Sequence, residues 1–342
     1  MKKGDVINGY TILQDFSTAG GGMSQWSFAA KGSKQYFIKA FLAPTYPVDG
    51  SPGSPKLKRD KRRRCQQFEQ RQRALMEKMS PKGGAGGNLV ITLDFFRSGA
   101  KYYKITDKVD TAGLTLPQLA ALPPTRKILV LRTIAHSLAM LHGEGIVHGD
   151  LKPDNMLVKQ TSGGQYVAKL IDFDDSYLAG EPPANPDEVV GDPVYYSPEL
   201  LRYVQRDAAM PGAQLGVPSD IFALGLLYTQ LLTGALPPFH REQYPYAATA
   251  VLHGERLAVP AVPEPTVASL LERMLAREPA SRPDIQRVFA VLKQWQPSDL
   301  KGTFKRRPGL EAATAGTPGG ASASSAGLQG TLMQALHNKH KL

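Results

Sequence analysis

His148-Gly149-Asp150-Leu151-Lys152-Pro153-Asp154-Asn155 is followed, further along the chain, by Leu170-Ile171-Asp172-Phe173-Asp174. Apolar residues flank both pieces: Met156-Leu157-Val158 follows the first, and Ala168-Lys169-Leu170-Ile171 leads into the second. A lone His-Gly-Asp is often a turn, and a lone Asp-Phe-Asp is often surface. Both together, in this order and between strand-like runs, are rarely accidental. The two pieces concentrate carboxylates, one amide and one lysine within a short reach of chain.

Around this pair the chain divides into a strand-rich third and a helical remainder. Tyr36-Phe37-Ile38-Lys39-Ala40-Phe41, Leu89 to Phe96 and Tyr102 to Val109 read as strands bounded by Gly and Pro clusters. Among them lies one helical segment, in which Phe68, Gln72, Leu75 and Met79 share a face. Beyond Thr111 the period is helical. Ile128, Leu131, Ile134, Leu138 and Leu141 recur at three- and four-residue spacing until Gly143, as do Val267 to Leu275 and Ile285 to Leu292. This order predicts an α+β fold of two lobes: a small β-rich lobe over residues 1–110 and a larger helical lobe over 111–297. From 298 to 342 the composition is basic and then Ala-, Gly- and Ser-rich, and a flexible tail is expected there. No internal repeat is found.

Composition narrows the function classes. The chain has 342 residues, 42% of them hydrophobic, which is enough for a real core. Its single cysteine, Cys65, cannot form an internal disulfide. The two N-terminal lysines are not followed by an apolar run, so no signal peptide is read. The greasiest segment, Ile221 to Leu232, is too short to span a bilayer. These features predict a soluble, cytoplasmic protein. The net charge of +11 favours acidic partners, and part of it sits in the run Lys56 to Arg64. That run reads first as a solvated helix start and second as a nucleic-acid or acidic-partner site. No zinc spacing, helix-turn-helix signature or aromatic RNA platform accompanies it.

Phosphoryl transfer fits the opening pair of motifs. It needs a carboxylate to orient a hydroxyl, a cation for the moving charge, and hard oxygen ligands for Mg²⁺ beside nucleotide phosphates. Asp150 offers the carboxylate, Lys152 the cation, and Asn155 and Asp172 the metal ligands. With these residues in this order, the stretch resembles the catalytic loop and metal-binding motif of eukaryotic-type serine/threonine protein kinases. Gly149 stands where Arg is usual and Asp174 where Gly is usual. The resemblance covers nearly all of residues 8–295.

The resemblance implies roles for further residues. Gly20, Gly21 and Gly22 sit where a glycine-rich hairpin covers the ATP phosphates, with Ala19 and Ser24 in place of the outer glycines. Lys39 matches the lysine that pairs with the α and β phosphates. Its partner should be a glutamate on the following helix, and Glu69 is the only Glu between Lys39 and Leu75. Aligning Phe68 and Leu75 with the usual helix instead puts Arg71 at that place. Thr106 would lie behind the adenine. Asp107, Lys108 and Val109 would form the hinge, and Asp110 would reach the ribose. Gly191 to Glu199 resembles the end of an activation loop, Asp220 to Gly225 the start of a buried central helix, and Arg282 should pair with Glu199. His148 is expected to pack rather than react. Asp192 replaces the usual Thr; it either draws Lys152 away from Asp150 and restrains the enzyme, which is the expectation, or faces elsewhere and serves only the fold of the loop.

The expected function is therefore transfer of the ATP γ-phosphate to Ser or Thr hydroxyls of protein substrates, with Mg²⁺, or Mn²⁺, as cofactor. Two rivals stay open. Small-molecule phosphotransferases of the aminoglycoside and choline kinase type also carry His-Gly-Asp and Ile-Asp-Phe-Asp-Asp. A pseudokinase scaffold would bind nucleotide without turnover. Lys152, Gly191 to Glu199 and Arg282 favour the protein kinase over the first, and the joint presence of Lys39, Asp150, Asn155 and Asp172 favours it over the second.

Overall fold

Lys34 to Phe41 alternates enough buried side chains to form the central strand of a sheet, and the chain on either side folds back against it. In the computed structural model, which describes residues 1–18, 24–80, 87–260, 262 and 264–297, that sheet has six strands. They are β1 (Val6–Ile7), β2 (Tyr10–Ile12), β3 (Ser24–Lys31), β4 (Lys34–Phe41), β5 (Thr92–Ser98) and β6 (Lys101–Asp107), in the order β1-β2-β3-β4-β6-β5. Each neighbouring pair is antiparallel. Antiparallel pairs can be joined by short turns, so the strand-rich third closes locally.

One long helix, α1 (Pro55–Met79), crosses between β4 and β5. Ser54 caps it by accepting from the Leu57 N–H at 3.3 Å, and Pro55 opens its first turn. Cys65, Gln72, Leu75 and Met79 are its buried residues. Phe68 packs beside Phe41, Phe95 and Tyr102, with ring centroids 5.0 to 5.7 Å away. The cations Lys56, Arg59, Lys61, Arg62, Arg63 and Arg64 are exposed on the first turns of the helix.

The helical lobe comprises α2 (Leu116–Ala121), α3 (Pro124–Gly143), α4 (Pro198–Val204), α5 (Pro218–Thr233), α6 (Ala247–Leu252), α7 (Pro265–Met274) and α8 (Ile285–Gln294). Between α3 and α4 run the short strands β7 (Ile146–Val147), β8 (Met156–Gln160), β9 (Tyr166–Leu170) and β10 (Tyr177–Leu178). β8 pairs with β9 and β7 with β10, both antiparallel. The expected periodic helices match α3, α7 and α8. Leu131, Ile134, Leu138 and Leu141 of α3 meet Phe222, Leu224 and Leu227 of α5 in one core. Burying side chains of this size gives each about 1.5–3 kcal/mol, and α3 is the floor on which β7 and β9 rest.

Among the described residues no helix is long and apolar enough to cross a membrane. Residues 298–342, where the tail was expected, and Gly20, Gly21 and Gly22 lie outside the described residues.

Candidate active site

β8 and β9 form a hairpin whose mouth carries both opening motifs. Its first strand begins just after Asn155 and its second ends just before Asp172. Ile171 N–H donates to the Asn155 carbonyl at 3.0 Å, tying the two motifs together by their backbones. Asp172 then adopts a left-handed φ of 62°, uncommon for a residue with a side chain and frequent at functional sites.

Asp150 is buried, and its carboxylate has three donors. Lys152 Nζ bonds Oδ2 at 2.6 Å, Asn155 Nδ2 bonds Oδ2 at 2.7 Å, and the Asp192 N–H bonds Oδ1 at 3.2 Å. Asn155 Nδ2 also donates to the Asp150 carbonyl at 2.8 Å. With its nitrogen so engaged, the side-chain oxygen is what Asn155 has to offer a cation. Burial works against the charge on Lys152, but the Asp150 carboxylate outweighs it and lifts the ammonium above its usual pKa.

The backbone beneath Asp150 is pinned from α5. The His148 and Gly149 N–H groups donate to the Asp220 carboxylate at 2.7 and 3.1 Å, and His142 Nε2 lies 3.0 Å from it. His148 is fully buried against Phe173, with ring centroids 5.2 Å apart, and burial holds its imidazole below the usual pKa. It packs, as expected. Gly149 has φ 82°, and a Cβ there would come within 2.7 Å of the Asp175 carbonyl. Glycine is thus required by the backbone, and the usual Arg would not fit without moving that segment.

Lys39 of β4 reaches Asp172, with Nζ 2.9 Å from both carboxylate oxygens. It also lies 2.6 Å from Asp174 Oδ2, a close ion pair outside hydrogen-bond alignment. Burial opposes the charge of Lys39, but Asp174 and then Asp172 overcome it and raise its pKa well above the ordinary lysine range. Asp172 moves the opposite way: burial would raise it, yet Lys39 and Lys104 hold its carboxyl far below the usual range.

Two expectations are corrected here. Glu69 does not hold Lys39; its carboxylate accepts from the Tyr102 hydroxyl at 2.6 Å. Tyr102 stands on the face of β6 that packs against α1, so the nearest polar partner for Glu69 is the phenol. Asp192 does not draw Lys152 away. Its side chain caps a short 3₁₀ turn, accepting from the Val194 N–H at 3.0 Å, while its own N–H serves Asp150. Lys104 was not singled out from sequence at all, yet it is buried on β6, donates to Asp174 and lies 3.6 Å from Asp172. Thr106 is buried two residues on; Asp107, at the strand end, pairs with Lys34 at 2.7 Å, and Asp110 is exposed.

A two-lobed fold, a carboxylate held by lysine and asparagine, and a lysine spanning from sheet to Asp172 are thus in place. The protein kinase domain family matches residues 56–292. The chain belongs to that family. The kinase domain is also 33% identical over 213 residues to Serine/threonine-protein kinase PkaA of Streptomyces coelicolor, a match covering 60% of this chain and 36% of PkaA. Serine/threonine-protein kinase Pkn1 of Myxococcus xanthus is 33% identical over 204 residues, 58% of this chain and 27% of Pkn1. Calcium-dependent protein kinase 10 of Arabidopsis thaliana is 35% identical over 165 residues, 47% of this chain and 28% of that protein. The chain therefore spans about a third of the length of the curated relatives it matches. β4 with Lys39 precedes the segment matched by the family, so the place of Lys39 in this kinase domain rests on the geometry above.

Asp192 gives a direct test. Asp192→Ala should destabilise the fold by about 1 kcal/mol, the usual worth of a side-chain cap. Asp192→Thr keeps a capping oxygen and should leave the urea midpoint and kcat nearly unchanged. A several-fold rise in kcat for Asp192→Thr would restore the braking role.

Asp175 gives a second. Burial, then Asp174, Asp172 and Asp150, push its carboxyl up to about 7 from 3.8. The folded chain then holds a proton that the unfolded chain has lost, so this residue makes stability fall as pH rises from about 4 to about 7. Asp175→Asn removes that dependence. Its melting temperature should gain on the wild type progressively across that window, and a constant offset at every pH would refute the assignment.

Proposed function

We propose that this kinase domain transfers the γ-phosphoryl group of ATP to Ser or Thr hydroxyls of a protein substrate, as the names of PkaA and Pkn1 state for those relatives. The observation that carries the reading is the Asp150–Lys152–Asn155 set. Asp150 would orient the acceptor hydroxyl and take its proton. Lys152 would meet the charge on the transferring phosphoryl group, and Lys39 would hold the α and β phosphates. Asp107, Val109 and Asp110 would receive the adenine and ribose, and Gly20, Gly21 and Gly22 would cover the phosphates.

A divalent cation fits the donor set at Asn155 and Asp172, which present an amide oxygen and a carboxylate. Hard oxygens of this kind suit Mg²⁺, which keeps waters and phosphate oxygens as its remaining ligands. Among the described residues no group of three or more His, Cys, Asp or Glu forms a metal cage, so a cation here would share its ligands with nucleotide phosphates. When bound, it supplies charge neutralisation across the phosphates. We read residues 1–110 and 111–297 as the two lobes and 298–342 as an appended tail.

The substrate platform favours protein over small molecules as acceptor. The segment from Gly191 leads through the Asp192-capped turn into α4, anchored by the Glu199–Arg282 pair. Incubation with Mg-ATP and a casein-like mixture, followed by mass-spectrometric mapping, should find phosphoserine and phosphothreonine. Phosphorylation of amino alcohols or aminoglycosides alone would sink the proposal, as would nucleotide binding with no transfer.

Gly149 adds an activation prediction. The usual Arg at this place grips a phosphate on the activation loop through charge-assisted bonds, and glycine has no side chain for that. Phosphatase-treated enzyme should therefore keep its activity within about twofold. A large loss, restored by rephosphorylating a residue between Asp172 and Glu199, would overturn this.

A further inference from the structure

The register of the sheet sets Lys39 of β4 directly opposite Lys104 of β6. Like charges directly opposite on neighbouring strands destabilise a sheet. Here both are nearly sealed from water, with 13% and 5% of their side chains exposed. Burial makes the repulsion worse, because a low local dielectric strengthens it. The neutralising charge comes from the loop after β9. Asp174 touches both lysines, one per carboxylate oxygen, with Lys39 2.6 Å from Oδ2 and Lys104 donating to Oδ1. Asp172 takes Lys39 at 2.9 Å and lies 3.6 Å from Lys104. Two lysines and two aspartates sum to zero.

Each unusual residue accounts for another. A carboxylate at 174 beside Asp172 would, alone, set two like charges against each other in one buried site. Lys104 removes that penalty. A buried Lys104 without Asp174 would face Lys39 with only Asp172 between them. Glu69 on α1 is bonded to Tyr102 instead, and the alternative helix position, Arg71, carries a cation that would repel Lys39.

We infer that Asp174 is the positioning residue for Lys39, in place of a carboxylate from helix α1, and that Lys104 is its counter-cation. The inference rests on the reading of Lys39 as the phosphate-binding lysine. When Asp172 is committed to a cation, Asp174 still holds Lys39. The lysine is then set by its own sheet and by the loop after β9, and a displacement of α1 leaves it in place.

The test has a readout that needs no turnover. Nucleotide-free full-length protein is treated with an amine-reactive succinimidyl ester, and labelling of Lys39 is measured by peptide mapping. Asp174→Asn should raise that labelling about tenfold, because the variant breaks a close, largely buried ion pair that engages the amine at 2.6 Å. Glu69→Gln should leave it within about twofold, since its carboxylate contributes less than the ~0.4 kcal/mol that factor represents. Asp174→Glu, which keeps the charge, should return labelling towards wild type. In kinetics, Asp174→Asn should raise the KM for ATP about tenfold with a smaller change in kcat, the pattern of lost ground-state binding. Asp174→Asn/Lys104→Met should recover thermal stability lost in Asp174→Asn and bring Lys39 labelling part of the way back towards wild type, because the cation facing Lys39 is gone. Wild-type labelling in Asp174→Asn, or a larger rise in Glu69→Gln, overturns the inference. If Asp174→Asn raises labelling but the wild type transfers no phosphate, the positioning role stands and the kinase activity falls instead.

Discussion

Asp150→Ala should lower kcat at least about a hundredfold, the scale for losing a positioned acid–base group. It should leave ATP affinity nearly unchanged, because the role proposed for Asp150 is to orient the acceptor, and the residue is held by Lys152, Asn155 and the Asp192 N–H. Asp172→Ala should cost at least as much in kcat and should also weaken Mg-ATP binding, since it removes both the proposed metal ligand and one of the two carboxylates on Lys39. The two profiles differ in kind, and that difference is the test. Isothermal titration with a non-hydrolysable ATP analogue gives affinity, and phosphate incorporation into a protein substrate gives kcat. Full activity in either variant would reject the site. Equal loss of affinity in both would mean that Asp150 shapes the nucleotide pocket rather than the acceptor hydroxyl.

The placement of these two aspartates was readable because their motifs are local. His148 to Asn155 and Leu170 to Asp174 each fit within one turn or strand end, and the β8–β9 hairpin that unites them is itself a short-range pairing. The long-range ties at Asp220 and Arg282 were readable only through the family resemblance, since nothing in the local period of α5 marks Asp220 as a backbone clamp. Lys104 shows where reading stops. β6 is buried on both faces from Tyr102 to Thr106, so alternation gives no sign of which way a side chain turns. A lysine in such a run looks like an outward residue until the loop after β9 supplies its carboxylate. Glu69 fails for the same reason. Its spacing from Lys39 is acceptable along the chain, but the choice between Lys39 and the Tyr102 hydroxyl is made by how α1 sits on the sheet. Sequence leaves Asp192 between a restraint on Lys152 and a role in the loop's fold, and the Pro193 turn decides between them by presenting the Val194 N–H to its carboxylate.

Arg282→Met should destabilise the domain by about 3–5 kcal/mol, the cost of stranding one partner of a buried ion pair. The guanidinium is fully buried, and each of its five N–H groups has an acceptor. Two go to Glu199, at 2.6 and 2.8 Å. The others go to the carbonyls of Ala276 at 2.9 Å, Pro218 at 2.8 Å and Arg277 at 3.0 Å. The residue thus joins α4, the start of α5 and the loop after α7 at one point. Methionine leaves Glu199 charged in the interior and removes one donor from each of three carbonyls. Arg282→Lys keeps the charge but cannot fork to both carboxylate oxygens and the carbonyls together, so it should also destabilise, by less. The informative variant is the double, Arg282→Met/Glu199→Leu. Removing both charges abolishes the stranded carboxylate, so the double should be more stable than Arg282→Met alone, with a coupling of about 0.5–3 kcal/mol in urea denaturation. Its kcat should nonetheless stay low if the pair anchors the platform from Gly191 to α4 on which a substrate chain would lie. Additive single and double effects would show that Glu199 and Arg282 stabilise the lobe through their other neighbours, and full activity in the double would detach the platform from the pair.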